Sequence, residues 1–136
     1  MRDEYDFSRH QAISTNEYSK RNFKMKLKTD EWTYEGRENA ATAQKLREGH
    51  TCKVVGFGQS MVPILKSGQP VICVPVDSQT ELNKNDIVMC KVNGHYYLHK
   101  IVAIRPGDRF VIGNNHGHIN GTIGRNNIFG LVIKKL

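Results

Sequence analysis

The chain has 136 residues, of which 38% are apolar, and a formal net charge of +7. This length fits one domain and hardly two, and the sequence contains no apolar run near the roughly 18 residues that a transmembrane helix needs. The first residues also lack the apolar segment of a secretory signal. We therefore expect a cytoplasmic protein that has no membrane partner.

The first 50 residues form a polar arm whose charges nearly balance. Residues 1–50 contain ten Lys or Arg and nine Asp or Glu, whereas residues 51–136 contain ten and four. A segment of mixed charge is unlike the basic tails that bind nucleic acid by charge alone. We expect residues 1–36 to bury little apolar surface and to become ordered only against the domain or a partner protein.

Two elements are predicted within this arm. Residues 23–28 alternate apolar and basic side chains, which predicts a short edge strand. Residues 38–48 are good helix formers with Lys45 and Arg47 near the end and Gly49 as a stop, which predicts a short helix. No second helix follows at the spacing of a helix-turn-helix, so the sequence argues against a DNA-reading domain.

Residues 51–136 predict a small, mostly β domain. Short runs rich in Val, Ile, Tyr and Phe are separated by Gly, Pro, Asn and Asp. Asn93-Gly94 predicts a two-residue hairpin turn, and Pro106-Gly107-Asp108 predicts a second tight turn. The predicted strands fall within residues 51–57, 70–76, 86–92, 95–104, 109–113 and 127–133.

The cysteines indicate a reducing environment. Cys52, Cys73 and Cys90 are odd in number and widely spaced, and no Cys-x-x-Cys motif is present. We expect all three thiols to be reduced and buried in strands.

Ser60 is a candidate nucleophile. Gly56 and Gly58 precede it and Pro63 follows it, so the backbone can turn tightly and present the hydroxyl beside backbone N–H groups. A nucleophilic serine needs such a setting and a base within hydrogen-bond reach. The same segment also fits an ordinary turn in which the serine bonds its own backbone.

His99 is the candidate base. It lies in a strongly predicted strand, where it and Lys100 must point to opposite faces, so only one of them can face a given pocket. A neutral imidazole accepts a proton at pH 7 without help, whereas a lysine amine must first be desolvated. The alternative for His99 is a half-buried strand histidine bonded to the backbone.

Five short segments in chain order resemble the serine peptidase clan of signal peptidase I and the LexA-type self-cleaving repressors. Together they cover roughly residues 56–132, and the resemblance implies the small β fold of that clan and a serine peptidase activity. The segments are Ser60-Met61-Val62-Pro63 (the nucleophile motif), residues 85–88 (the Gly-Asp-apolar-Val strand), His99-Lys100 (the base and a basic neighbour), Gly113-Asn114-Asn115 (the Gly-Asp-Asn box) and Gly130-Leu131-Val132 (the closing Gly-x-Val).

The resemblance also implies a role for each matched position. Ser60 takes the place of the nucleophile, and His99 that of the base, as in the endoplasmic-reticulum and archaeal enzymes. The oxyanion hole and substrate cleft are then expected at Gly58, Gln59, Met61 and Pro63. The implied substrate is a protein or peptide, and no cofactor is implied.

Two acidic positions of the clan carry amides in this chain. Asn114 replaces the Asp of the Gly-Asp-Asn box, and Ile119-Asn120 replaces the acidic pair that follows it. Asn114 and Asn120 are therefore the expected orienting residues, able to hold an imidazole by a hydrogen bond but unable to stabilise the imidazolium by charge. No membrane anchor is recognisable either, and anchorless relatives of this kind are typical of phages, which would place the protein in a host cytoplasm.

These observations favour a soluble peptidase with a Ser60/His99 dyad that cleaves itself or a partner protein. Ala41-Thr42-Ala43 resembles the small residues that signal peptidases accept, but the predicted helix would have to unwind before cleavage there. The alternative is an inactive module of the same fold that binds a protein or nucleic acid through its arm, a sheet edge or its basic face. A DNA-binding repressor is the third and weakest interpretation.

A zinc site is a further candidate in the same region. His116 and His118 are two positions apart, so they share a face if they lie on a strand, and His95 or His99 could complete the ligand set. No Cys or carboxylate stands nearby at ligand spacing, so a polar loop that shapes a pocket is the better interpretation. We therefore expect no metal.

Overall fold

The computed structural model describes residues 39–56 and 60–136. This part of the chain forms a mostly β fold, as predicted, with one short helix beside seven strands. The elements are α1 (Asn39–Arg47), β1 (Cys52–Val55), β2 (Pro70–Pro75), β3 (Ile87–Val92), β4 (His95–Arg105), β5 (Arg109–Gly113), β6 (Ile119–Gly124), a 3-10 turn (Arg125–Asn127) and β7 (Ile128–Lys135). The expected arm of residues 1–36 and the strand predicted at residues 23–28 lie outside the described residues.

The strands form one curled antiparallel sheet in the order β1-β2-β7-β3-β4-β5-β6. The last strand, β7, pairs with both β2 and β3 and so joins the two halves of the sheet. The curl brings β6 back toward β3. A Cβ built on Gly121 of β6 would lie only 2.9 Å from Val92 Cγ1 of β3. Glycine at this position permits the close approach of the two strands.

Both predicted hairpin turns are present. Asn93 and Gly94 have φ values of 50° and 84° and connect β3 to β4, as the mirror-image two-residue turn requires. Gly107 and Asp108 have φ values of 83° and 61° in the turn between β4 and β5. The two turns therefore fix β3, β4 and β5 as a meander, with β4 at its centre.

One strand was not predicted from the sequence. β6 has the sequence INGTIG, which contains two glycines and an asparagine and lacks a continuous β-branched run. It is nevertheless a strand because it pairs along its length with β5. Tertiary pairing thus overrides a weak local preference, as is common for strands.

The core lies inside the curled sheet and is closed by α1. Ala43 and Leu46 of the helix are buried, and a Cβ built on Gly130 of β7 would lie 2.8 Å from Leu46 Cδ1. The helix therefore docks directly onto the backbone of β7. No helix within the described part of the chain has both the length and the apolar character needed to cross a membrane.

The three cysteines are free and buried, as predicted. They lie in β1, β2 and β3, and Cys52 is paired with Cys73 in the register of β1 and β2. Burial raises the pKa of the Cys73 and Cys90 thiols far above their ordinary value, and the neighbouring Cys52 adds to the effect on Cys73. These thiols therefore stay protonated in the folded protein.

Candidate active site

Ser60 begins a tight turn that is anchored in the core. The backbone N–H of Leu65 donates to the carbonyl of Met61 at 2.8 Å, and the side chains of Met61, Ile64 and Leu65 are buried. Apolar residues on the inner side of the turn thus hold its backbone, while the Ser60 side chain is only half-buried. The turn follows β1 in the chain.

His99 brings its ring to the Ser60 hydroxyl. It lies on β4, opposite Val88 of β3, and is 7% exposed. Its Nε2 lies 3.0 Å from Ser60 Oγ, although the two residues are 39 positions apart. This distance and burial suit proton transfer between a serine and an imidazole.

Asn120 contacts the other nitrogen of the same ring. Its Oδ1 lies 2.7 Å from His99 Nδ1. Since an amide oxygen can only accept, Nδ1 carries the proton and donates to Asn120, which leaves the lone pair of Nε2 facing Ser60. The contact therefore selects the tautomer that a general base requires.

Tyr97 packs against the face of the imidazole. The two rings are stacked, with centroids 4.8 Å apart and an angle of 28° between their planes. Burial lowers the pKa of His99 below its ordinary value, the hydrogen bond that His99 donates to Asn120 raises it, and His118 lowers the pKa further. The ring is accordingly neutral at pH 7 and able to accept a proton.

Asn114 shapes the loop that follows β5. Its Oδ1 accepts hydrogen bonds from the backbone N–H groups of His116 at 2.8 Å and His118 at 3.0 Å, and its own N–H donates to the carbonyl of His118 at 2.9 Å. Of the two asparagines expected to orient the base, Asn120 is thus the one that contacts His99. Asn114 instead closes the turn that leads into β6.

Asn115 reaches the turn at Ser60 from the same loop. Its backbone N–H donates to the Ser60 carbonyl at 2.8 Å, and its Nδ2 donates to the Val62 carbonyl at 3.0 Å. Its Oδ1 accepts from Lys100 Nζ at 3.2 Å. Lys100 therefore contacts the loop, while its neighbour His99 contacts the serine.

The residues expected to form the oxyanion hole and cleft are only partly described. Gly58 and Gln59 lie outside the described residues. Met61 is buried in the core and Pro63 is exposed on the turn. The assignment of these four positions to a cleft stays a prediction.

The histidines considered as a zinc site do not form a cluster. Within the described residues, no group of three or more His, Cys, Asp or Glu side chains is placed to hold a metal ion. His116 and His118 are exposed on the loop after β5, and His95 lies beside Tyr97, with ring centroids 6.5 Å apart. The interpretation of this segment as a polar loop that shapes a pocket stays a prediction.

Sequence reasoning missed three contacts at this site. Tyr97 had a signal, because a residue two positions before His99 on the same strand shares its face. Asn115 belongs to the recognised segment Gly113-Asn114-Asn115, but the sequence did not indicate which residues it contacts. No sequence signal indicated that Lys100 contacts Asn115. These contacts depend on how the loop after β5 folds back over the turn at Ser60.

Comparison with known protein families identifies one family that matches this chain. The family described as Peptidase S24-like matches residues 15–133. No curated protein matches the chain significantly. The family match covers most of the sequence and includes every described residue of the site, so the chain belongs to the Peptidase S24-like family.

Proposed function

We propose that the protein is a serine peptidase in which Ser60 is the nucleophile, His99 the general base and Asn120 the residue that orients the base. The observation that carries the proposal is the unbroken hydrogen-bond chain from Ser60 Oγ through both nitrogens of His99 to Asn120. An ordinary turn serine needs only its own backbone. Membership of the Peptidase S24-like family adds independent support.

The proposed reaction follows from these contacts. Ser60 Oγ attacks the carbonyl carbon of a peptide bond while its proton passes to His99 Nε2. The tetrahedral intermediate then collapses, the C–N bond breaks, and the leaving amine takes the proton from Nε2. A water molecule deprotonated by the same nitrogen hydrolyses the acyl-enzyme ester and regenerates the Ser60 hydroxyl.

An amide in place of a carboxylate weakens this machinery without abolishing it. Asn120 holds the ring and its tautomer, but it cannot offset the positive charge that forms on the imidazolium. The low pKa of His99 adds to the cost of forming that charge. We therefore propose a slow enzyme, suited to a single cleavage of itself or of a partner protein rather than to rapid turnover.

Cleavage near Ala41-Thr42-Ala43 is the less favoured form of self-processing. Thr42 and Ala43 are buried and lie within α1. A peptidase cleft takes up an extended chain, so α1 would have to leave β7 and unwind before its peptide bonds could react. A partner protein, or another segment of this chain, is the preferred substrate.

Labelling with a fluorophosphonate probe tests the proposed nucleophile. The probe forms a bond between its phosphorus and an activated serine oxygen as fluoride leaves. We expect a single adduct on Ser60 by intact mass and peptide mapping, and its loss in both Ser60→Ala and His99→Ala. Ser78→Ala, which removes an exposed serine elsewhere, is the matched control and should label like the wild type.

Cleavage itself is tested with the inactive variant as a substrate. Tagged Ser60→Ala protein is mixed with untagged wild type, and fragments are identified by mass spectrometry. Fragments of the tagged chain would show cleavage in trans, whereas fragments only of wild-type chains would show cleavage in cis. If the wild type neither reacts with the probe nor cleaves any chain, the peptidase proposal is wrong.

The second candidate function is an inactive binding module of the same fold. The specific observation in its favour is that Asn114 and Asn120 occupy positions where the clan carries acids. In that case Ser60 is unreactive, and the protein acts by holding a protein or nucleic acid. Absence of labelling, together with stable capture of a partner by both wild type and Ser60→Ala, would favour this function.

A further inference from the structure

We propose that Asn115 and Lys100 form a clamp that positions the nucleophile. The clamp consists of the backbone N–H and side chain of Asn115, the Lys100 side chain and the carbonyl groups of Ser60 and Val62. Asn115 donates to both carbonyls, at 2.8 Å from its backbone N–H and at 3.0 Å from Nδ2. Lys100 Nζ donates to Asn115 Oδ1 at 3.2 Å.

The two carbonyls lie on either side of Met61, so the clamp fixes the backbone at the start of the turn. Within the turn, the Leu65 N–H also donates to the Met61 carbonyl. With the Ser60 and Val62 carbonyls also held, the direction of the Ser60 Cα–Cβ bond is set by the loop after β5. The reach of Ser60 Oγ to His99 Nε2 therefore depends on a residue that contacts neither of those atoms.

Lys100 determines which way the Asn115 amide points. An ammonium group can only donate, so it selects Oδ1 as its partner and leaves Nδ2 to donate to the Val62 carbonyl. Reversal of the amide would face Nδ2 toward the ammonium group and would leave the carbonyl without a donor. The charge of Lys100 also strengthens its bond to Oδ1.

Adjacent residues of β4 thereby act on Ser60 from two directions. His99 contacts the hydroxyl, and Lys100 orients the residue that holds the backbone. Lys100 is thus a positioning residue, while the base at Ser60 Oγ is His99. The clamp rests on the proposed function for its effect on catalysis, but its effect on the backbone of the turn can be measured separately.

The catalytic arm of the test is the rate constant for fluorophosphonate labelling of Ser60. Asn115→Ala should lower the rate constant by about tenfold to a hundredfold, because small displacements of a reacting group are costly. Lys100→Met should lower it by about threefold to tenfold, the cost of losing one hydrogen bond. Lys100→Arg, which keeps a cationic donor, should restore most of the rate.

Two experimental results distinguish a positioning role of Asn115 and Lys100 from a merely structural role. A folding defect lowers the fraction of protein that is finally labelled, whereas loss of positioning lowers the rate constant with complete labelling. Lys100→Met should also have no further effect in the Asn115→Ala background, because Lys100 acts through that amide. Asn115→Asp, which replaces the Nδ2 donor with a charged carboxylate oxygen and keeps an acceptor for Lys100, serves if Asn115→Ala does not fold.

The second arm measures hydrogen exchange at the Leu65 amide and needs no activity. Exchange should be at least about fivefold faster in Asn115→Ala and in Lys100→Met, since the held turn opens more often. Asn127→Ala and Lys84→Met, which change exposed side chains elsewhere, are the matched controls and should behave like the wild type.

The two arms distinguish failure of the clamp from failure of the proposed function. If the wild type takes no probe but exchange responds as expected, the peptidase proposal fails and the clamp stands. If the wild type is labelled and Asn115→Ala is labelled equally fast, the clamp is overturned. Unchanged exchange at Leu65 in both variants, or additive effects of the two substitutions on the rate constant, also overturns it.

Discussion

Asn120 Oδ1 lies 2.7 Å from His99 Nδ1, and this single contact places the proton on the nitrogen that faces away from Ser60. The opposite nitrogen lies 3.0 Å from Ser60 Oγ. An amide supplies the geometry of an orienting residue without its negative charge. The role of Asn120 can therefore be tested by adding the negative charge and by removing the hydrogen bond.

Substitutions of Asn120 should raise or lower the rate constant for labelling of Ser60, depending on the side chain that is introduced. Asn120→Asp should raise the labelling rate constant by about tenfold or more, because a carboxylate also stabilises the imidazolium. Asn120→Ala should lower it by about tenfold to a thousandfold, since the tautomer is no longer selected. Asn127→Asp, on the exposed 3-10 turn, is the control for added charge. Equal rates for the wild type and both Asn120 variants would refute the orienting role.

The labelling rate should depend on pH through His99. Burial lowers the pKa of this residue below its ordinary value of 6.5. Protonated His99 cannot accept the serine proton, so the rate should rise with pH, with a midpoint below 6.5, and be level at neutral pH. Asn120→Asp should move the midpoint upward, and a rate that keeps rising into alkaline pH would point to a different base.

The same shift predicts how folding stability depends on pH. The unfolded chain binds a proton at His99 near pH 6.5, whereas the folded protein binds it only at lower pH. The free energy of unfolding should therefore fall as pH drops through 6.5 and level off below the folded-state pKa. Urea unfolding of wild type and His99→Gln across this range isolates the contribution, which should be absent in the variant.

Tyr97 should help to keep the pKa of His99 low. Its ring covers one face of the imidazole at a centroid distance of 4.8 Å. Tyr97→Ala should admit water, raise the pKa toward its ordinary value and slow labelling by roughly tenfold through loss of ring orientation. Tyr97→Phe keeps the stacked ring and should resemble the wild type. Histidine titration by NMR gives the pKa directly. If the pKa of His99 in Tyr97→Ala equals that of the wild type, this role is contradicted.

Gly113 should not tolerate even a methyl group. A Cβ built there would lie 2.7 Å from the His118 carbonyl oxygen and 2.8 Å from Val102 Cγ2. Gly113→Ala should therefore destabilise the fold by about 1–3 kcal/mol through overpacking, and it should slow labelling because the displaced loop carries Asn115. Gly124→Ala is the control, since its nearest contact is the flexible end of Arg109 at 3.6 Å. Equal urea midpoints for the two variants would contradict the prediction.

Much of the fold follows from local patterns in the sequence. Runs of β-branched and aromatic residues between turn formers predicted six of the seven strands, and Asn93-Gly94 predicted the hairpin that begins β4. The helix was predicted at residues 38–48 and is observed at Asn39–Arg47. β6 escaped prediction because its glycines carry no β preference, and only its pairing with β5 makes it a strand.

The sequence by itself determined the candidates for the site, whereas the tertiary structure decided how they meet. Ser60 and His99 could be singled out because a serine between turn formers and a histidine on a strand are local features. Which asparagine faces the imidazole could not be read in this way, because a register shift between Ile112 and Gly113 alters the pairing where β6 begins. A shift of one residue reverses the face on which a side chain lies. The partners of His99 are therefore set by strand register and loop closure, which act between residues far apart in the chain.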